Sequence, residues 1–268
     1  MLKDITLGQY FPIDSLLHKL DPRTKILAFI FEIVAIFMAK TIYSYVLLAA
    51  FTLFVMLVSK VPVKMYLKGL KPILYIIIFT ALLNLFLTKG ENKVLIFGHN
   101  TGITVEGVIV AAKMAVRLVL LIIGSCTLTY TTSPMALTDG IEKLLKPLSR
   151  VGFPTHELAM MMSIAIKFVP TLIEETDKII KAQQARGASF DTGSIINRAK
   201  SLIPMLVPLF ISAFRRADEL AIAMESRCYT GGEGRTRLRE IKFTKRDLFA
   251  GIAFIALFAL VIVFDFVL

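Results

Sequence analysis

The chain has 268 residues, of which 56% are hydrophobic, and it carries a formal net charge of +11. With a mean hydropathy of +0.72, this is more apolar sequence than a soluble domain of that length can bury, which excludes an ordinary soluble fold and points to lipid as the solvent for part of the chain. In a soluble protein such a basic balance would suggest nucleic acid, but here the lysines and arginines flank apolar runs, as in the loops of membrane proteins.

The N-terminal stretch MLKDITLGQYFPIDS lacks the apolar core of a cleaved signal peptide, so the first apolar run is expected to drive insertion. Apolar runs follow over Ile26–Ala39, Tyr43–Val58, Pro72–Thr88, Val105–Tyr130 and Leu248–Leu268. A spanning helix needs roughly 20 residues. The last two runs qualify easily and the third is just long enough. The first two are short, with Lys40 between them, and are expected to form a tight helical hairpin. Asp21-Pro22-Arg23 reads as an N-cap followed by proline at the first helical position. Lys60, Lys64, Lys68 and Lys71 make a loop without an acid, and together with the basic N-terminal segment they place both on the cytoplasmic side by the positive-inside rule. GENKVLIFGHNTGIT is then an outer loop. Glu32 and Arg117 are charges inside spans, where they are expected to face a partner. A Glu32–Arg117 pair, joined by Asn84, would act as structural glue, while Lys113 could snorkel.

After the fourth span comes a stretch too long for a connection and too patterned for a linker. Residues 134–149 read as a short helix. Residues 155–187 and 194–228 read as two long helices of one plan, each apolar first and charged later, with Pro170, Pro204 and Pro208 inside. Their apolar stretches, Leu158–Ile166 and Leu202–Phe214, are too short to span. The expected architecture is an all-α integral membrane protein with about five spans: residues 1–130 form an N-terminal membrane domain of four helices, 131–246 a cytoplasmic coupling unit, and 247–268 a last transmembrane helix.

The two long helices end alike, in Ala185-Arg186-Gly187 and Ser226-Arg227-Cys228. Small neighbours let another backbone approach while the guanidinium presents five donors in a planar fork. Gly187 is a natural helix-ending residue. One such arginine alone is explained by complementing the helix dipole. Two on matched helices point to docking. The three histidines are scattered and the two cysteines, Cys126 and Cys228, stand alone, so neither a metal site nor a disulfide framework is indicated. No phosphate-binding loop of the G-x-x-x-x-G-K type occurs, and no nucleophile elbow.

The motifs AQQARGASF and AMESRCYTGGEGRTR, with KFVPTL and IPMLVPLF before them and GQYFPIDSLLHKLDPRTKI near the start, resemble the transmembrane T component of energy-coupling factor transporters, a branch of the ATP-binding-cassette importers. The resemblance covers most of the chain. It implies a non-catalytic scaffold in the plasma membrane of a prokaryote. Two ATPase subunits would bind ATP and Mg, and this chain would hold no cofactor. Arg186 and Arg227 would dock in grooves of those ATPases. A membrane S component that binds a vitamin or other micronutrient would be moved by the helices' apolar faces. Met160, Met161, Met162, Met205, Leu206, Phe210 and Phe214 offer an adaptable surface for it, although plain helix packing would also account for them. Two other readings are weighed. A self-contained secondary transporter calls for inverted repeats and broken helices, and a conventional importer permease for a single short coupling loop.

Overall fold

In the computed structural model the described residues are 10–88, 93–96, 99–188, 195–231 and 243–267. They form two compact units, one of residues 10–140 with 243–267 and the other of residues 141–231. Nine helices and one small hairpin account for most of them. The helices are α1 (Pro22–Met38), α2 (Ile42–Ser59), α3 (Val63–Leu70), α4 (Leu74–Leu87), α5 (Val105–Thr131), α6 (Pro134–Leu145), α7 (Thr155–Ala185), α8 (Ile195–Ser226) and α9 (Lys245–Val267). The antiparallel strands β1 (Lys93–Ile96) and β2 (His99–Thr104) lie where only an irregular outer loop is expected from sequence.

In the first unit, α1, α2, α5 and α9 pack around a core of Ala35, Ile36, Tyr45, Leu48, Leu120, Leu257 and Val261. Large apolar side chains crowd the outside: Phe37, Phe54, Leu57, Tyr75, Phe79, Leu87 and Phe249 are all more than half exposed. That is the inverse of a soluble bundle and matches a bundle wetted by lipid. The expected helical hairpin of α1 and α2 is present, and its turn, Ala39–Thr41, contains no glycine or proline. Its backbone is satisfied from elsewhere. Asp265 of α9 accepts the Lys40 and Thr41 N–H groups at 3.1 and 2.9 Å and the Ser44 hydroxyl at 2.8 Å. From α5, Lys113 donates to the Lys40 carbonyl at 2.6 Å, and Arg117 donates to the Tyr45 hydroxyl at 2.7 Å and the Ala39 carbonyl at 3.5 Å. At the other end of α1, Asp247 of α9 accepts the Asp21 N–H at 2.7 Å. Lys25 donates to the Thr131 carbonyl at 2.8 Å.

These contacts fix directions. Asp247 meets the start of α1 and Asp265 its end, so α9 runs parallel to α1. Lys25–Thr131 and Ala39–Arg117 make α5 antiparallel to α1. The segment between α5 and α9 therefore leaves and re-enters on one side, and within it the chain crosses an even number of times. Among the described residues four helices are long and apolar enough to cross a membrane, namely α2, α5, α7 and α9, and the pair α3–α4, bent by 58°, passes the same test when taken as one span. This set differs from the expected one in two places. α1 has 17 residues, yet between Asp21 and Lys40 it covers about 28 Å at 1.5 Å per residue, a hydrocarbon thickness. α7 qualifies although Glu157 and Lys167 bracket its apolar stretch.

A third difference lies at residues 63–70, which the sequence reading leaves as loop and which form α3. Val63, Tyr66, Leu67 and Leu70 recur at helical spacing and the lysines between them are good helix formers. Pro72 ends it, because proline has no N–H to donate to the Lys68 carbonyl.

Glu32 and Arg117 do not pair. Glu32 accepts from Thr52 at 3.1 Å and lies against Gly124, where an added Cβ would sit 2.7 Å from its carboxylate. Arg117 instead stacks on Phe37 and Tyr45. Asn84 turns back to the Thr80 carbonyl of its own helix at 2.8 Å.

Replacing Asp265 by alanine strands two N–H groups and a hydroxyl. It is expected to lower stability by about 2–3 kcal/mol, with Asp265→Asn losing less because an amide oxygen still accepts. Thermal unfolding of the purified protein in one detergent checks the order.

Candidate functional site

The second unit contains α7 and α8, held side by side by polar contacts along their length. Gln183 donates to the Pro204 carbonyl at 3.3 Å, and Ser212 donates to Glu175, which also pairs with Arg216 at 3.1 Å. As the number rises on one helix it falls on the other, so the two are antiparallel. Pro170, Pro204 and Pro208 lie inside them. Glu175 is held below the usual carboxylate range, first by the Ser212 hydrogen bond and then by the charge of Arg216.

Each helix ends in the same backbone motif. At the end of α7 the Gly187 N–H donates to the Gln184 carbonyl at 3.0 Å and the Ala188 N–H to the Gln183 carbonyl at 3.0 Å, with Gly187 at φ +85°. At the end of α8 the Cys228 N–H donates to the Glu225 carbonyl at 2.9 Å and the Tyr229 N–H to the Met224 carbonyl at 3.0 Å, with Cys228 at φ +55°. Both are Schellman caps. Arg186 and Arg227 occupy the same position in each, the last residue before the left-handed turn. The motif pairs two of the final carbonyls at each tip.

Ala185, Arg186, Gly187, Ser226, Arg227 and Cys228 are all exposed. Nothing lies within 4 Å of a Cβ built on Gly187, so glycine is needed there for its backbone angle and not for space. The same angle at Cys228 is strained for a side chain with a Cβ.

The antiparallel register sets the arginines far apart. Arg186 lies three residues beyond Gln183, whose partner is Pro204. From Pro204 to Arg227 a straight helix covers about 35 Å. One guanidinium stands at each end of the pair. Of the residues considered for an apolar contact, Met161, Met162, Leu206, Phe210 and Phe214 are exposed and Met160 and Met205 are half-buried. Leu202, Ile203, Val207 and Ile211 are exposed as well. With Leu206, Phe210 and Phe214 they form two adjacent rows at spacing four on α8. Sequence reading named only part of this stripe.

It also passed over Asp265, the sole charge in the last apolar run, whose isolation was the available signal. Among the described residues no group of three His, Cys, Asp or Glu side chains is arranged to hold a metal ion.

Helices of membrane-spanning length, with two long helices carrying matching Schellman-capped tips, define a multi-pass helical membrane protein. Residues 14–238 match the cobalt transport protein family, CbiQ. The energy-coupling factor transporter transmembrane protein EcfT of Clostridium kluyveri is 56% identical over 96% of this chain and 95% of its own length. The EcfT of Ruminiclostridium cellulolyticum is 58% identical over 92% of each chain, and that of Bacillus subtilis 44% over 97% of this chain and 98% of its own. The chain belongs to this family of energy-coupling factor transporter transmembrane proteins.

The two caps differ in one testable respect. Gly187→Ala places a Cβ at φ +85° and is expected to destabilise the end of α7 by about 1 kcal/mol. Cys228→Gly relieves the same strain and is expected to stabilise the end of α8 by about 0.5 kcal/mol, the gain being offset in part by added unfolded-state freedom. Amide hydrogen exchange over the last turn of each helix reads both signs.

Proposed function

We propose that this chain transmits ATP hydrolysis by two separate ATPase subunits to a membrane S component that binds a vitamin or other micronutrient. It works in the plasma membrane of a prokaryote, with its N-terminus and the α7–α8 pair in the cytoplasm. ATP and Mg belong to the partner subunits, and this chain holds no cofactor. The observation that carries the reading is the matched pair of exposed arginines, one at each end of an antiparallel helix pair. A single groove cannot take both, whereas two ATPases can take one each.

Chemistry fits the roles. Each guanidinium offers a planar fork to carboxylates or carbonyls in a groove, and the flanking Ala185, Gly187 and Ser226 leave room for the partner's backbone. Motion of one tip reaches the other helix through Glu175, Ser212 and Arg216. The apolar rows on α8 suit the greasy surface of another membrane protein, and Met161 and Met162 let that surface adapt to more than one partner. The lysines of the N-terminal segment and of α3 support the cytoplasmic assignment of the N-terminus by the positive-inside rule.

Arg186→Ala or Arg227→Ala is expected to weaken capture of the ATPase subunits by roughly 30-fold each, equivalent to about 2 kcal/mol for a desolvated anchor. The double variant should release them while the membrane chain still purifies folded. Co-purification from the native membrane measures this. Full ATPase retention by the double variant would overturn the docking assignment.

A further inference from the structure

We propose that Lys60, Lys64, Lys68 and Lys71 form a binding surface for the phosphate headgroups of anionic phospholipids. The sequence from residue 33 to residue 90 contains no Asp or Glu. All four lysines are exposed, and no ion pair engages them among the described residues. Lys64, Lys68 and Lys71 follow at spacings of four and three and share one face of α3, since Lys71 keeps helical angles of φ −52° and ψ −48°. Lys60 precedes them in the left-handed turn that ends α2, at φ 58°.

The opposite face fixes the helix in place. Tyr66 is only 2% exposed and its hydroxyl meets Ser59 at 3.0 Å and Thr127 at 3.3 Å. Tyr130 donates to the Met65 carbonyl at 3.1 Å and packs edge-on against Tyr66. Gly69 lies so close to α5 that an added Cβ would be 2.8 Å from the Cys126 sulfur. The lysine face therefore points away from the bundle on a helix that cannot roll.

Depth identifies the partner. α3 joins α4 through a bend of 58°. α4 is apolar throughout, and its exposed residues include Leu74, Tyr75 and Ile78. α4 enters lipid, so α3 lies at its boundary. Val63 and Leu67, on the flank between the lysines and the buried face, are 53% and 59% exposed. An apolar flank beside a cationic face is how a helix seats in the headgroup layer. An acidic protein surface would satisfy the lysines and leave that flank, continuous with α4, without a partner. Each lysine near an anionic membrane surface is worth about a fivefold gain in association.

The test uses the full-length chain in nanodiscs of phosphatidylcholine alone or with one quarter phosphatidylglycerol. The thermal midpoint and the phosphatidylglycerol retained in native mass spectrometry are recorded. The wild type is expected to unfold at higher temperature with phosphatidylglycerol and to retain it. The triple variant K64Q/K68Q/K71Q should lose roughly a hundredfold in retention while keeping the wild-type midpoint in pure phosphatidylcholine. K68Q alone should lose about fivefold, which keeps the proposal testable if the triple variant misfolds. K146Q, on another exposed lysine, should lose nothing. Wild-type retention by K68Q or by the folded triple variant would overturn the proposal. So would inorganic phosphate reproducing the midpoint rise in pure phosphatidylcholine, or a triple variant that keeps the lipid and loses a protein partner instead.

Discussion

Inside a bilayer a backbone N–H or C=O without a partner costs several kcal/mol, and a turn between two spans exposes such groups at each helix end. The turn at Ala39–Thr41 is where this constraint is most acute. α1 and α2 are too short to carry their ends well into water, and no glycine or proline supplies a compact turn. The solution is ionic. A carboxylate from α9 takes the N–H groups and two cations from α5 take the carbonyls. Charges at this depth are costly unless they are paired, and here each meets backbone dipoles of the matching sense. α9 follows α8 in the chain, yet its two aspartates locate both ends of the first span.

That clamp makes α9 parallel to α1, so between the end of α5 and the start of α9 the chain crosses an even number of times. Average hydropathy marks α7 as long and apolar enough to cross but gives no direction. The direction of a helix is a stronger constraint than its average greasiness, since direction is set by specific hydrogen bonds and greasiness is shared by any helix that packs against lipid or another apolar surface.

The spans, the α1–α2 hairpin and the two long helices could be read from the sequence because they depend on run length and periodicity, which are local. The paired arginine motifs stood out because small-Arg-small recurs at the end of two similar segments. What could not be read was pairing. Glu32 and Arg117 look like natural partners in an apolar setting, but Glu32 faces Thr52 and Gly124 while Arg117 reaches the turn. Choosing between those outcomes needs the register of α1 on α5. α3 was hidden by its lysines, which suit a loop in a charge count and a helix in a propensity count. The shared Schellman geometry was half visible, in Gly187. Cys228 concealed the other half, because nothing about cysteine announces a left-handed residue.

The caps also explain how a tip can be both exposed and specialised. A helix that ends without partners for its last carbonyls is constrained to find them, in water or in a neighbour, and substitutions there disturb folding and binding together. The Schellman bonds relieve two of those carbonyls at each tip. The arginine side chain stands at the negative end of the helix dipole, which favours its charge. Folding of the tip and recognition by the tip are then carried by different atoms. Gly187 and Cys228 shape the end, and the guanidinium is left free to engage whatever comes to it. An antiparallel pair is the arrangement that sets two such ends at opposite extremes of one helix pair.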